Sequence, residues 1–189
     1  MKFARTMLLA GAAASLLPGA AFAHPGHELT GLSAGLAHPF LGTDHLLAML
    51  AVGVWAALQP ANRAWQGPAL FITMLAAGAA LGLAGISLPF VEPGILASVM
   101  LLGILVAGAK LVPAPASLAL IAAFAVLHGY AHGAEAVEPL AGYAAGFIGA
   151  SALLHLLGYV GGRQLAATRY GVAAAGLSIA TAGAILAFA

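Results

Sequence analysis

Cysteine is absent from all 189 residues of the chain, and charge is nearly so. The first absence excludes disulfides, thiolate metal sites and cysteine nucleophiles. Any metal site must then be built from His, Asp, Glu, Met or backbone oxygen. The second absence excludes an ordinary soluble domain, because charged residues make up 6% of this chain against about 25% in soluble proteins. A net charge of +1 offers nothing to nucleic acid. No P-loop pattern occurs, so no nucleotide is expected either. What fills the chain is apolar, 63% of it, and that is the composition of a membrane protein embedded in a lipid bilayer.

The N-terminus reads as a secretory signal. Lys2 and Arg5 form a charged segment, Met7 to Leu17 an apolar one, and Ala21-Phe22-Ala23 a small-residue cleavage site after Pro18 and Gly19. Residues 1–23 are expected to be removed, leaving a mature chain that starts at His24. An uncleaved first span is the other reading. The new terminus, His24-Pro25-Gly26-His27-Glu28, would offer an α-amine, two imidazoles and a carboxylate to a divalent ion, or form a plain polar tail.

Six further apolar stretches are long enough for a bilayer core, which takes roughly 20 helical residues. They fall near 32–58, 68–88, 94–112, 117–133, 140–159 and 170–188. The connectors carry Pro or Gly and are too short for a second domain, so residues 24–189 are expected to form a single all-α, six-helix transmembrane bundle. The charges test this layout. Arg63, Lys110, Arg163 and Arg169 fall in or beside the connectors on one side, and Glu28, Glu92, Glu135 and Glu138 on the other. Positive charge is biased toward the cytoplasm, which predicts that the mature N-terminus lies outside. Small-residue pairs at helical spacing, Gly78/Gly82, Gly142/Gly146 and Ala145/Gly149, suit close helix packing.

Against this background His38-Pro39-Phe40-Leu41-Gly42-Thr43-Asp44-His45 stands out, with three ionisable side chains inside a hydrophobic run. A central Asp costs roughly 2.5–3.5 kcal/mol on insertion scales, and such groups normally face a bundle interior. On a straight helix His38, His45 and Met49 share a face, but His38 and His45 lie about 10 Å apart along the axis. Pro39 can kink the helix and Gly42 can free the backbone, drawing His38 toward Asp44 and His45. Broken helices at ion sites are a recurrent transporter device.

A second cluster, His128-Gly129-Tyr130-Ala131-His132-Gly133-Ala134-Glu135, puts His128, His132 and Glu135 on one helical face. His pairs four apart can grip one metal. His155 sits deeper, toward the cytoplasm, and either serves an ion path or hydrogen-bonds a carbonyl. Glu138 reads as an entrance group or a solvated charge, and Met49 as a ligand or core. Nitrogen and carboxylate donors without thiolate fit Ni²⁺, Co²⁺, Zn²⁺ or Mn²⁺ and disfavour Cu⁺.

These residues resemble the HupE/UreJ family of nickel and cobalt permeases, accessory to hydrogenase and urease. Its motif H-P-x-x-G-x-D-H matches His38, Pro39, Gly42, Asp44 and His45, and H-G-x-x-H-G-x-E matches His128, Gly129, His132, Gly133 and Glu135. A signal peptide followed by six spans is also similar to that family. The resemblance implies a bacterial inner-membrane permease, its mature N-terminus periplasmic, rather than an enzyme, with no prosthetic group. Ni²⁺ is the first expected cargo and Co²⁺ the next, transport depending on His38, Asp44, His45, His128, His132 and Glu135. A homo-oligomer is left open. The other readings are a membrane metalloenzyme holding a catalytic iron or zinc in the same cluster, a haem protein using His45 and His155, and a structural subunit. The absent H-E-x-x-H, the adjacent Asp44 and the cost of burying that Asp argue against these in turn.

Overall fold

The computed structural model describes residues 29–188, and the expected signal peptide with His24 and His27 lies outside them. Every regular element among the described residues is a helix. They are α1 (Gly31–Leu41), α2 (Thr43–Ala57), α3 (Gln66–Leu83), α4 (Val91–Ala107), α5 (Ala114–Ala134), α6 (Leu140–Ala166) and α7 (Gly171–Phe188). Four of them, α3, α5, α6 and α7, are long and apolar enough to cross a membrane, or five spans if α1 and α2 count as one.

Proline sets where these helices begin. Pro68, Pro93 and Pro115 each fall in the first turn of α3, α4 and α5, where a backbone N–H has no intrahelical partner to lose. Pro39 instead sits near the end of α1, where its ring and missing N–H disrupt the last turn. The stretch expected as one span over 32–58 is therefore two helices, bent by 80° at Gly42. Gly42 itself has φ −86° and ψ 110°, a conformation open to any residue, so backbone freedom is not its use. The sixth element also departs from expectation. α6 runs on through Gly161 and Arg163 to Ala166, because the small residues there continue a helix as readily as they end one.

Packing is organised around α2, in which every residue from Ala51 to Ala57 is buried. Trp55, Met49 and Val52 of that helix join Phe71 and Leu75 of α3 and Leu154 of α6 in the core. The outer helices bury one stripe and leave Leu153, Leu156, Leu177 and Ile185 exposed, as lipid-facing helices do.

Helices pair through glycine. A side chain at Gly78 would overlap the Val126 carbonyl of α5, and one at Gly129 would overlap the Leu75 carbonyl of α3. Gly35 and Gly146 do the same between α1 and α6, and Gly103 and Gly176 between α4 and α7. Since lipid is as apolar as the helices, close van der Waals approach must hold them together. The expected Ala145/Gly149 pair does not take part, since both are exposed and nothing lies within 4 Å of a Cβ at Gly149.

Gly78→Val is expected to force α3 from α5 at a cost of about 1–3 kcal/mol, lowering the melting temperature of the detergent-solubilised protein. Gly149→Ala should leave it unchanged.

Candidate metal centre

The break at Gly42 positions the first set of polar side chains. His38 lies in the last turn of α1, and Asp44 in the first turn of α2, where the helix dipole favours a carboxylate. Asp44 Oδ1 accepts from the His45 backbone N–H at 2.7 Å. The same oxygen lies 2.6 Å from His45 Nδ1. Gly42 leaves room for this pair, because a Cβ there would meet Asp44 Oδ1 and His45 Nδ1 at 3.0 Å each. Its role is space.

The second set comes from α5, which the glycines of its own motif press against α3. Gly129 and Gly133 approach the backbone at Leu75 and Ala79, which turns His128 and His132 away from α3 into the bundle. Both are buried, at 0% and 1% exposure. The two sets meet. Ring centroids are 4.2 Å apart for His45 and His132, 4.6 Å for His45 and His128, and 4.6 Å for His38 and His132. The rings pack edge to face. Among the described residues, no three His, Asp or Glu side chains are already arranged around one ion.

The other expected residues are placed as follows. Glu135 lies just past the end of α5, exposed, with Oε2 3.5 Å from His38 Nε2. It joins the cluster at its mouth rather than along the helical face. Glu138 accepts from the Leu140 N–H at the start of α6, so it caps a helix. Met49 is wholly buried in the apolar core. His155 stands apart, buried, with its ring centroid 5.0 Å from that of Phe71, which is itself 6.1 Å from His128.

Three residues at the cluster escaped sequence reasoning. Ser98 of α4 lies 2.8 Å from His128 Nε2. Phe147 of α6 lies 3.9 Å from His132, centroid to centroid. Tyr143, also of α6, is 6.0 Å from His38. Ser98 left one signal, as the only polar side chain in its helix beyond Glu92 of the first turn.

Most of these nitrogens find no protein partner. His45 Nε2, His128 Nδ1, both nitrogens of His132, both of His155 and the Tyr143 hydroxyl are buried and unpaired. A buried polar atom left bare costs about 1–3 kcal/mol. Four such nitrogens lie on three touching rings, which as neutral imidazoles offer one lone pair each to a cation that takes imidazole ligands.

The family model of the HupE / UreJ protein matches residues 12–186. The chain belongs to the HupE/UreJ family. It is also similar to Protein HupE of Rhizobium leguminosarum bv. viciae, 42% identical over 182 residues that cover 92% of this chain and 93% of that one. No solved structure matches. The membership, with the apolar helices, makes this a multi-pass membrane protein. It also carries the family's association with hydrogenase and urease accessory function.

A methyl group at position 42 is expected to part the Asp44 carboxylate from the His45 imidazole. The His45 ring resonances of Gly42→Ala should shift in ¹H–¹⁵N spectra while those of His155 stay in place.

Proposed function

We propose that this family member is an inner-membrane permease that imports a divalent transition-metal ion, Ni²⁺ first and Co²⁺ next, for metalloenzyme maturation. One observation carries the reading. Four imidazoles from two separate helix units meet inside an apolar bundle, at a helix break, with four of their buried nitrogens unpaired in the protein. A purely structural role would cost about 4–12 kcal/mol for those four atoms at about 1–3 each, comparable with the whole stability of a domain. A passing cation supplies a partner for three of them, one lone pair from each neutral ring.

In this reading α1 and α2 form one broken span, and with the short α4 the mature chain crosses the membrane six times, its N-terminus outside. Glu135 sits at the outer mouth, and His24 and His27 raise the local concentration of cation. His38, His45, His128 and His132 replace its hydration shell, and the Asp44 carboxylate holds His45 and supplies the opposing charge. His155, beyond the Phe71 ring, lies further along toward the cytoplasm. The site suits a cargo that must leave, because the rings have to part to admit it and close again behind it.

The membrane potential suffices to drive the ion inward. At 100 mV it is worth about 2.3 kcal/mol per charge, so about 4.6 for a divalent cation. That equals an accumulation of about a thousandfold or more, without a coupled ion or a nucleotide. Low pH should weaken uptake, because imidazole must be neutral to ligate.

Cells expressing the Asp44→Asn or His45→Ala variant are expected to lose Ni²⁺ accumulation while inserting normal amounts of protein, as measured by isotope uptake beside membrane immunoblots. Wild-type accumulation in either variant would defeat the reading.

A further inference from the structure

We propose that Ser98 is a positioning residue that fixes which nitrogen of His128 faces the imidazole cluster. It belongs to α4, a helix that contributes to neither His-containing motif.

A single proton decides the matter. Ser98 Oγ lies 2.6 Å from the Ile95 carbonyl oxygen. A carbonyl can only accept, so the one hydroxyl hydrogen of Ser98 is committed there. The same oxygen lies 2.8 Å from His128 Nε2. With its hydrogen used, Oγ can meet that nitrogen only as an acceptor, so Nε2 carries the N–H and donates. A neutral imidazole with Nε2–H has its lone pair on Nδ1. In this structure Nδ1 of His128 is buried and has no protein partner, and its ring packs 4.6 Å from that of His45.

His45 is held in the opposite sense. Its Nδ1 faces the Asp44 carboxylate at 2.6 Å, and a carboxylate also accepts only, so Nδ1 carries the N–H and Nε2 the lone pair. That Nε2 too is buried and unpaired. Two touching rings are thus each clamped through one nitrogen by an outer partner, which frees the other nitrogen to bind. This is the arrangement by which partners outside a metal's own ligands set the tautomer and direction of a ligating imidazole. Asp44 does it for His45 from the neighbouring position, and Ser98 does it for His128 across helices.

Ser98 and His128 are both wholly buried, at 0% exposure. With water excluded, the His128 tautomer depends on the side chains packed against it. Those that reach the ring are Ser98, His45 and Phe71, and of these Ser98 is the one that hydrogen-bonds it. Replacing the hydroxyl with hydrogen removes the acceptor, and the Nδ1–H form, with its lone pair aimed back at α4, becomes accessible.

The consequence for transport rests on the permease reading, whereas the tautomer does not. Full-length protein labelled with ¹⁵N-histidine in lipid nanodiscs, free of metal, should show His128 as the Nε2–H tautomer. In Ser98→Ala the Nδ1–H form is expected to appear, with His155 resonances unchanged as a control for the fold. Ni²⁺ titration should then give binding about tenfold or more weaker in Ser98→Ala. In Ser98→Thr, which keeps the hydroxyl, binding should return to within about threefold of wild type. Wild-type His128 found as Nδ1–H, or Ser98→Ala binding Ni²⁺ as tightly as wild type, would overturn the proposal. So would a Thr variant that regains the tautomer without regaining affinity. Wild-type protein that binds no divalent cation would sink the permease reading, and the positioning role would then stand or fall on the tautomer shift alone.

Discussion

The structure depends on the cost of keeping the Asp44 carboxylate inside an apolar bundle. This is the only aspartate in the chain, with its side chain 22% exposed, and drawing a carboxylate even partly out of water opposes folding. Three features offset the cost. The residue occupies the first turn of α2, at the positive end of the helix dipole. It accepts from the His45 backbone N–H and from the His45 ring. The chain breaks at Gly42, just before it, which opens an N-terminus inside the bundle where a continuous helix would have none. Remove the break and the carboxylate loses the helix end that holds it. The 80° bend is thus a condition for burying the charge, and it also turns His38 back beside His45.

The polar cluster sits where three packed units meet. Glycines join α3 to α5, α4 to α7, and α6 to both α1 and α2. Each unit is held by backbone approach, which small residues allow and lipid does not oppose. Between units the contacts are side chains, and near the cluster they are polar or aromatic. His38 and His45 come from the first unit in sequence, His128 and His132 from the α3–α5 pair, and Ser98 from the α4–α7 pair. Tyr143 and Phe147 line the α6 side. An apolar cavity of about 180 Å³ between α3, α5 and α6 opens beside His132, so the α3–α5 pair and α6 do not close fully on each other there. Motion between units that are rigid within would change ring–ring distances before it broke any helix.

How far the sequence foretold this varies with what each feature depends on. The two His-containing motifs were legible because their members are neighbours along the chain. The i, i+4 spacing of His128 and His132 fixes a shared helical face whatever else the bundle does. Pro39 marked the break for the same local reason. The break falls at Gly42, but not through the backbone freedom expected of it, since its conformation is ordinary and the space it leaves matters only once Asp44 and His45 have turned back toward it. Glu135 was assigned to the helical face, but α5 ends at Ala134 and its carboxylate reaches His38 from the turn. Ser98, Tyr143 and Phe147 were not found, because each matters through a partner at least 30 residues away or on another helix. The run of α6 to Ala166 was missed because Gly161 and Gly162 signal a turn in water but tolerate a helix in a packed bundle. The Ala145/Gly149 pair met the spacing rule and failed the geometric one, since small residues facing lipid satisfy the same pattern as small residues facing a helix.

On the permease reading proposed above, the ion must be bound well enough to strip water and weakly enough to leave, and the cluster carries both tendencies in one set of atoms. Unpaired nitrogens favour capture, since each gains the partner it lacks. Edge-to-face ring packing opposes capture, since His45 must part from His128 and His132 before an ion can sit among them, and such contacts are worth about 0.5–1.5 kcal/mol each. A cage preset with six ligands would lack the second term and hold a divalent transition metal too tightly for turnover. A fully hydrogen-bonded cluster would lack the first and admit nothing. The balance needs rings that are clamped on one nitrogen and free on the other, packed on one another rather than on bound side chains. The pairing of a carboxylate with His45 and a hydroxyl with His128 supplies that condition with one hydrogen bond apiece.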